Sequence, residues 1–523
     1  MDFDDEFGYA RRHMLYDDYA TQQARRQKAL RSFPRGKPLN FRPFEAQLAS
    51  FEVRASRVAR LVRGADIPRL RELLRSGALL SVDLTLHYLR RIRRTENLNA
   101  VMQLAPDALA QARAADRVRT AGANAGALHG IPVLIKDNIG TGDQMHTTAG
   151  AAVLQRAHCD RDAMLVRRLR ESGAVLLGKT NLSEWANFFA DEPAPNGFSA
   201  NGGQTRNPYG VHDVGGSSSG SGSAVAAGLC AAAVGTETHG SIVNPSLCNA
   251  LYGMKPSLGL ISRDRVIPIT DATDTAGPMA RTATDMAVLM DALIGFDPND
   301  PACVDLAADP QGPALFAGGV SAALQQDGLR DQRIGLLDSR GTGAIYRGAF
   351  TQMRRMLKRA GAVLVPLKMP KFDPPFFDIM SHGYVHGVAE YLSNTNAPVR
   401  SLGQVAEYNR RDLARRAPNG MGTLESALTN NTWTRDEYDV RVREWRAAAR
   451  ASIDEALHSQ NLDLIATFNP FGFDERFVLA GAPLLALPAG FLPNGRPYGF
   501  ILAGRWLDDA ALVAVAGAWE RSR

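Results

Sequence analysis

The sequence predicts an α/β protein, a β-sheet covered by helices. Two observations carry this. Short buried apolar runs bounded by glycine alternate with amphipathic segments of helical period. The same helix–Gly–strand unit also recurs: Met164 to Glu171, Gly173 and Ala174 to Leu177, then Phe350 to Gly361 and Ala362 to Val365. The 523 residues, 45% apolar and 22% charged, are enough for a large core, as one big α/β unit or two to four domains.

Taken in order, residues 1–63 stand apart. They hold 13 basic and 8 acidic residues, +5 of the net +6, and read as a basic helical arm. Tyr9 to Leu30 fits a polar helix, broken by Pro34 and Pro38. The acidic start lacks the apolar stretch of a secretory signal. Residues 64–523 form the remaining unit. Ile67, Leu70, Leu73 and Leu74 recur at helical spacing, as do Leu84, Tyr88, Leu89 and Ile92. Ala105 to Thr120 is a third helix, and Gly130 to Lys136 is a short buried strand. The alanines from 224 to 233 read as a helix. The apolar run Phe477 to Leu492, interrupted by Pro483 and Pro488, is too short to cross a membrane.

Several function classes fall away. Cysteines 159, 230, 248 and 303 have neither zinc-ribbon nor disulfide-framework spacing. The body outside the arm is nearly neutral, so no nucleic-acid stripe is expected. His382 and His386 sit at i, i+4, but no Glu follows His382 as a zinc-protease motif requires, so no metal is expected.

Three features could carry chemistry. Gly215-Gly-Ser-Ser-Ser-Gly-Ser-Gly222 leads into a helix; it suits an anion-cradling loop or a plain flexible one, and lacks the Gly-Lys-Ser/Thr of a phosphate loop. Gly235-Thr-Glu-Thr-His-Gly-Ser241 puts a serine in a glycine-flanked turn whose N–H groups could receive an oxyanion. His239 is too near Ser241 in sequence to act as its base, and no G-x-S-x-G elbow surrounds it. Lys136 ends a strand, either reaching solvent or desolvated into a base. Only eight residues are lysine (28, 37, 136, 179, 255, 358, 368, 371), which makes a lysine in an apolar segment notable, because lysine, unlike arginine, can lose its proton.

Together these pieces, with Gly178-Lys-Thr-Asn-Leu-Ser-Glu184, Gly253-Met-Lys-Pro-Ser257, Asp274-Thr-Ala-Gly-Pro278 and Ala482 to Gly490, resemble the amidase signature family from about residue 64 to the C-terminus. The resemblance implies a single large fold, a mixed central sheet with helices on both faces. It implies a Ser-cisSer-Lys triad: Ser241 the nucleophile, Ser217 the bridging serine on a cis peptide, Lys136 the base. Backbone N–H groups of Thr238, His239, Gly240 and Ser241 would form the oxyanion hole. Substrate contacts are expected from His239, Ser218, Tyr384 and His386. The implied activity is hydrolysis of a linear amide through a seryl acyl-enzyme, with no cofactor.

Stretches 183–188, 202–209, 235–238 and 261–264 look like the bacterial peptide amidases, which remove ammonia from C-terminal carboxamides. A peptide or small-molecule amide substrate follows, with neither nucleic acid nor membrane as partner, a cytoplasmic setting, and room for a homodimer. The alternatives are acyl transfer through the same acyl-enzyme, or the transamidating subunit of a tRNA-dependent amidotransferase. Departures fall at substrate-facing positions: His239 where the family has Gly and the peptide amidases Asp, Val243 where Arg is common, Thr467 to Phe473, and Ser381 to Gly387.

Overall fold

The computed structural model describes residues 36–121, 126–191, 194–337, 344–469 and 473–523. The expected helix Tyr9 to Leu30 lies outside them.

Among the described residues thirteen strands occur in chain order: β1 (Val101–Leu104), β2 (Pro132–Lys136), β3 (Val175–Thr180), β4 (Phe198–Ser199), β5 (Gly203–Gln204), β6 (Ala232–Glu237), β7 (Tyr252–Lys255), β8 (Thr275–Ala280), β9 (Arg333–Leu337), β10 (Val363–Leu367), β11 (Leu464–Thr467), β12 (Leu484–Phe491) and β13 (Pro497–Ala503). β4 and β5 pair with each other. The other eleven form one mixed sheet, ordered β1-β3-β2-β6-β8-β7-β12-β13-β11-β9-β10. β3, β2 and β6 run parallel, as do β11, β9 and β10; the strands between alternate in direction.

Alternation along the strands divides two cores. Leu485, Leu487, Phe500 and Leu502 face one apolar cluster, while Leu484, Ala486, Ile501 and Ala503 face the other. The first is closed by helices Glu45–Val62, Ser81–Arg94, Ala283–Leu293 and Asp509–Arg521, the second by Phe376–Ser393, Leu402–Arg410 and Arg435–Ser459. The sheet therefore carries helices on both faces. Helix Glu45–Val62 buries Leu48, Phe51, Ala55, Val58 and Val62, one stripe at i, i+3, i+4 spacing, in the first core.

One expectation needs correcting. Helix Ser219–Ala226 stops early, and Ala232 and Ala233, expected in that helix, lie in β6. Gly228, at φ +65°, ends the helix, and the small side chains fit a strand held between β2 and β8. Packing overrides the helix preference of alanine. The apolar run Phe477 to Leu492 becomes the end of a short helix, a turn and β12. Among the described residues no helix is long and apolar enough to cross a membrane.

This topology positions the site. β2 and β6 are parallel neighbours, with Ile135 opposite Val234, so Lys136 and Thr236 leave the sheet at the same edge. β8 runs antiparallel to β6, with Thr275 opposite Glu237, which brings Asp274 to that edge too.

Candidate functional site

Lys136 closes β2 with no exposed surface. Its Nζ lies 2.8 Å from Ser217 Oγ, 2.8 Å from Thr236 Oγ1 and 3.2 Å from the Thr236 carbonyl. Burial, only partly offset by the negative charges of Asp274 and Glu237, lowers its pKa to about 7. Near neutrality a substantial fraction is therefore the free amine. Lys179 and Lys255 are just as buried, but no serine hydroxyl is among their partners. Lys179 donates to the Ile139 carbonyl at 2.5 Å and to Thr147 Oγ1 at 2.9 Å, and Lys255 donates to the Ala482 carbonyl at 2.9 Å.

The peptide bond between Gly216 and Ser217 is cis. The loop around it is held through its backbone. Ser183 N–H donates to the Ser217 carbonyl at 3.0 Å, Gly216 N–H to Asn244 Oδ1 at 3.1 Å, and Gly215 N–H to Asp213 Oδ1 at 2.9 Å. Gly215 has φ +71°, and a Cβ there would stand 2.6 Å from Pro245 Cα, so this loop needs glycine. Ser219 Oγ donates to the Gly215 carbonyl at 2.5 Å. Ser218 Oγ bonds the Thr236 carbonyl at 3.0 Å and is fully buried, inside the loop's framework.

Ser241 follows β6 in a turn that Gly240 enters at φ +79°. It is 8% exposed, and its carbonyl accepts from Ser218 N–H at 3.2 Å, which ties the two serine segments together. No hydrogen bond joins the hydroxyls of Ser217 and Ser241 in this conformation. Glu237 Oε2 accepts from the N–H groups of Ile242 (2.6 Å) and Val243 (3.0 Å), bracing the far side of the turn. Thr238 Oγ1 donates to Asp274 Oδ1 at 2.5 Å, and burial pushes the Asp274 carboxyl up to about 6. None of the N–H groups of Thr238, His239, Gly240 and Ser241 donates to an acceptor among the described residues. Unpaired backbone N–H groups are the kind of donor an oxyanion site requires.

The remaining expected residues scatter. His239 donates from Nε2 to the Phe473 carbonyl at 2.8 Å and packs edge-on against Phe376, so its ring anchors the turn to the second core. Tyr384 is fully buried, packed edge-on against Trp185 and Phe188. His386 is exposed and lines a cavity of about 630 Å³ whose wall also includes Asn138, Thr236, Thr238, Asp271 and Arg435. His382 stacks on Tyr438, and no group of three or more His, Cys, Asp or Glu among the described residues is arranged to hold a metal.

Asn138, Thr236, Glu237 and Asp274 also stand around Lys136 and the turn after β6 and were not expected as site residues. All four lie in or beside the motifs that carried the resemblance, and the available signal was a polar residue at or just beyond the end of a strand. Glu184, next to Ser183, is a strongly perturbed carboxyl: burial raises it to about 8, and Oε2 accepts from Ala200 N–H at 2.8 Å.

Residues 83–471 match the family described as Amidase. A probable amidase of Arabidopsis thaliana is 35% identical, over 88% of this chain and 90% of its own. A glutamyl-tRNA(Gln) amidotransferase subunit of Synechococcus sp. (strain CC9605) is 30% identical, over 88% of this chain and 96% of its own. Among solved structures, the native peptide amidase of Stenotrophomonas maltophilia superposes with a TM-score of 0.79 at 39% identity, covering 88% of this chain and 96% of that one. The chain belongs to the amidase signature family.

Proposed function

We propose that this amidase hydrolyses the C–N bond of a linear amide through an acyl-enzyme on Ser241, with Ser217 and Lys136 as its proton relay. The observation that carries the reading is the buried contact of 2.8 Å between Lys136 Nζ and Ser217 Oγ, made by a lysine whose pKa has fallen to about 7. Neutral Lys136 takes the proton of Ser217 as Ser217 takes that of Ser241, and Ser241 Oγ attacks the amide carbon. The carbonyl oxygen, now negative, is received by the N–H groups of Thr238 to Ser241. The proton then returns through Ser217 to the amide nitrogen, the C–N bond breaks, and the amine leaves. Water, deprotonated by the same relay, attacks the ester carbonyl; the acid departs and Ser241 regains its hydrogen.

Similarity to peptide amidase supports a peptide C-terminal amide or a small-molecule amide as substrate. Of the expected contacts His239, Ser218, Tyr384 and His386, His386 is the one proposed to meet the substrate, because it lines the large cavity; the side chains of Ser218 and Tyr384 are fully buried and the His239 ring bonds Phe473, so these are assigned supporting roles.

The test is product analysis with a panel of peptide amides and small amides, with and without an added amine. Free acid and ammonia or amine, unchanged in ratio by the added amine and absent with Ser241→Ala, are expected. A new amide as the main product would establish acyl transfer instead.

A further inference from the structure

Thr236, near the end of β6, meets Lys136 with two oxygens, Oγ1 at 2.8 Å and the carbonyl at 3.2 Å. Its hydroxyl also accepts from Asn138 Nδ2 at 3.0 Å, two residues beyond Lys136. Its N–H and carbonyl both bond Ser218 Oγ, at 3.2 and 3.0 Å. Thr236 is 7% exposed and Asn138 2%. One residue thus ties the lysine to the loop that carries Ser217.

A count of hydrogens shows what this does. A protonated Lys136 has three N–H bonds and three acceptors: Ser217 Oγ, Thr236 Oγ1 and the Thr236 carbonyl. A neutral Lys136 has two N–H bonds and one lone pair. If Thr236 takes both N–H bonds, the lone pair is left facing Ser217, the one direction in which the amine acts as a base. We propose that Thr236 is the positioning residue for Lys136: its two oxygens hold two of the amine's hydrogens, aim the lone pair at Ser217 Oγ, and depend on Asn138 to fix the hydroxyl.

The charged groups acting on Lys136 are Asp274, immediately before β8, and Glu237, on the same strand as Thr236. Thr236 and Asn138 both line the 630 Å³ cavity, as does Thr238 of the turn that leads to Ser241. Asn138 Oδ1 has no protein partner. The inference rests on the reading of Lys136 as the base.

The experiment titrates Lys136 directly, by ¹³Cε-lysine NMR on the full chain carrying Ser241→Ala, with Lys136→Arg to assign its resonance among the eight lysines. Thr236→Val removes one acceptor of the ammonium form, so the Lys136 titration is expected to fall by about one pH unit. Asn138→Asp places a carboxylate nearby and is expected to raise it. Thr236→Ser returns it to the wild-type value. In chains that keep Ser241, Thr236→Val lowers kcat/KM by about tenfold even at pH values where the amine is wholly neutral, because the aim is lost; Thr236→Ser recovers it.

A Lys136 titration unmoved by Thr236→Val overturns the proposal. So does a full alkaline kcat/KM in Thr236→Val. If Thr236→Val does not fold, Thr236→Ala, which likewise removes the hydroxyl, takes its place in both measurements with the same expected and overturning results. The titration needs no turnover, so its outcome is separate from that of the hydrolase reading.

Discussion

At the residue scale the proposed chemistry depends on one lysine being able to shed its proton. Lys136 has no exposed surface, and burial brings its pKa down to about 7 from an ordinary 10.5. In the proposed relay the neutral amine is the base, so the rate is expected to be low in acid and to rise through about pH 7 to an alkaline plateau. Lys136→Arg keeps the positive charge but supplies no base. It should therefore be as inactive as Lys136→Ala, each down by about 10²- to 10⁴-fold in kcat. The pH–rate profile and the two variants' turnover check this; activity retained by the arginine variant would reduce the lysine to an electrostatic support. The sequence made Lys136 visible because lysine is rare here and this one ends an apolar strand. It did not reveal Thr236, whose role comes from a bond between two strands, and such pairings are absent from any local pattern.

At the element scale, the segment from Ser183 to Asn187 links the cis-serine loop to the second core. Ser183 N–H holds the Ser217 carbonyl, and Trp185 packs against Tyr384. Glu184 between them is buried, and its carboxyl is raised to about 8 from an ordinary 4.5. The folded state thus keeps a proton that the unfolded chain has already lost above about pH 4.5. This contribution to stability is complete below pH 4.5 and is lost as pH rises through 8. Glu184→Gln keeps an oxygen for the Ala200 N–H and has nothing to titrate. Its Tm relative to wild type is expected to climb between pH 5 and pH 8, as thermal unfolding at the two values would show. A constant Tm difference would mean that Glu184 does not titrate in this range. Helices with a clear apolar stripe, such as Met164–Glu171, were legible in the sequence to the residue. The break between helix Ser219–Ala226 and β6 was not, because alanine suits a helix in isolation and a tightly packed strand in this sheet.

At the scale of the whole molecule, the sheet and its two cores explain why residues 136, 217 and 241, far apart in sequence, share one edge. Parallel β2 and β6 end together, and the loop carrying Ser217 is fastened to the turn after β6. The order of the motifs made the fold class and the family legible. The strand order did not follow from the sequence, since the pairing of β7 with β12, and of β11 with β9, joins segments about 130 residues or more apart. Substrate contacts were the least legible, because His239 and Tyr384 face packed interior partners that local sequence does not disclose. The most direct measurement uses the intact chain and needs no substrate. A serine-reactive fluorophosphonate is added near pH 8, and the labelled peptide is sequenced by fragmentation. One adduct, on Ser241, abolished by Ser241→Ala and strongly slowed by Lys136→Ala, is the expected result. An adduct on Ser217 or Ser218, or labelling indifferent to Lys136, would contradict the account.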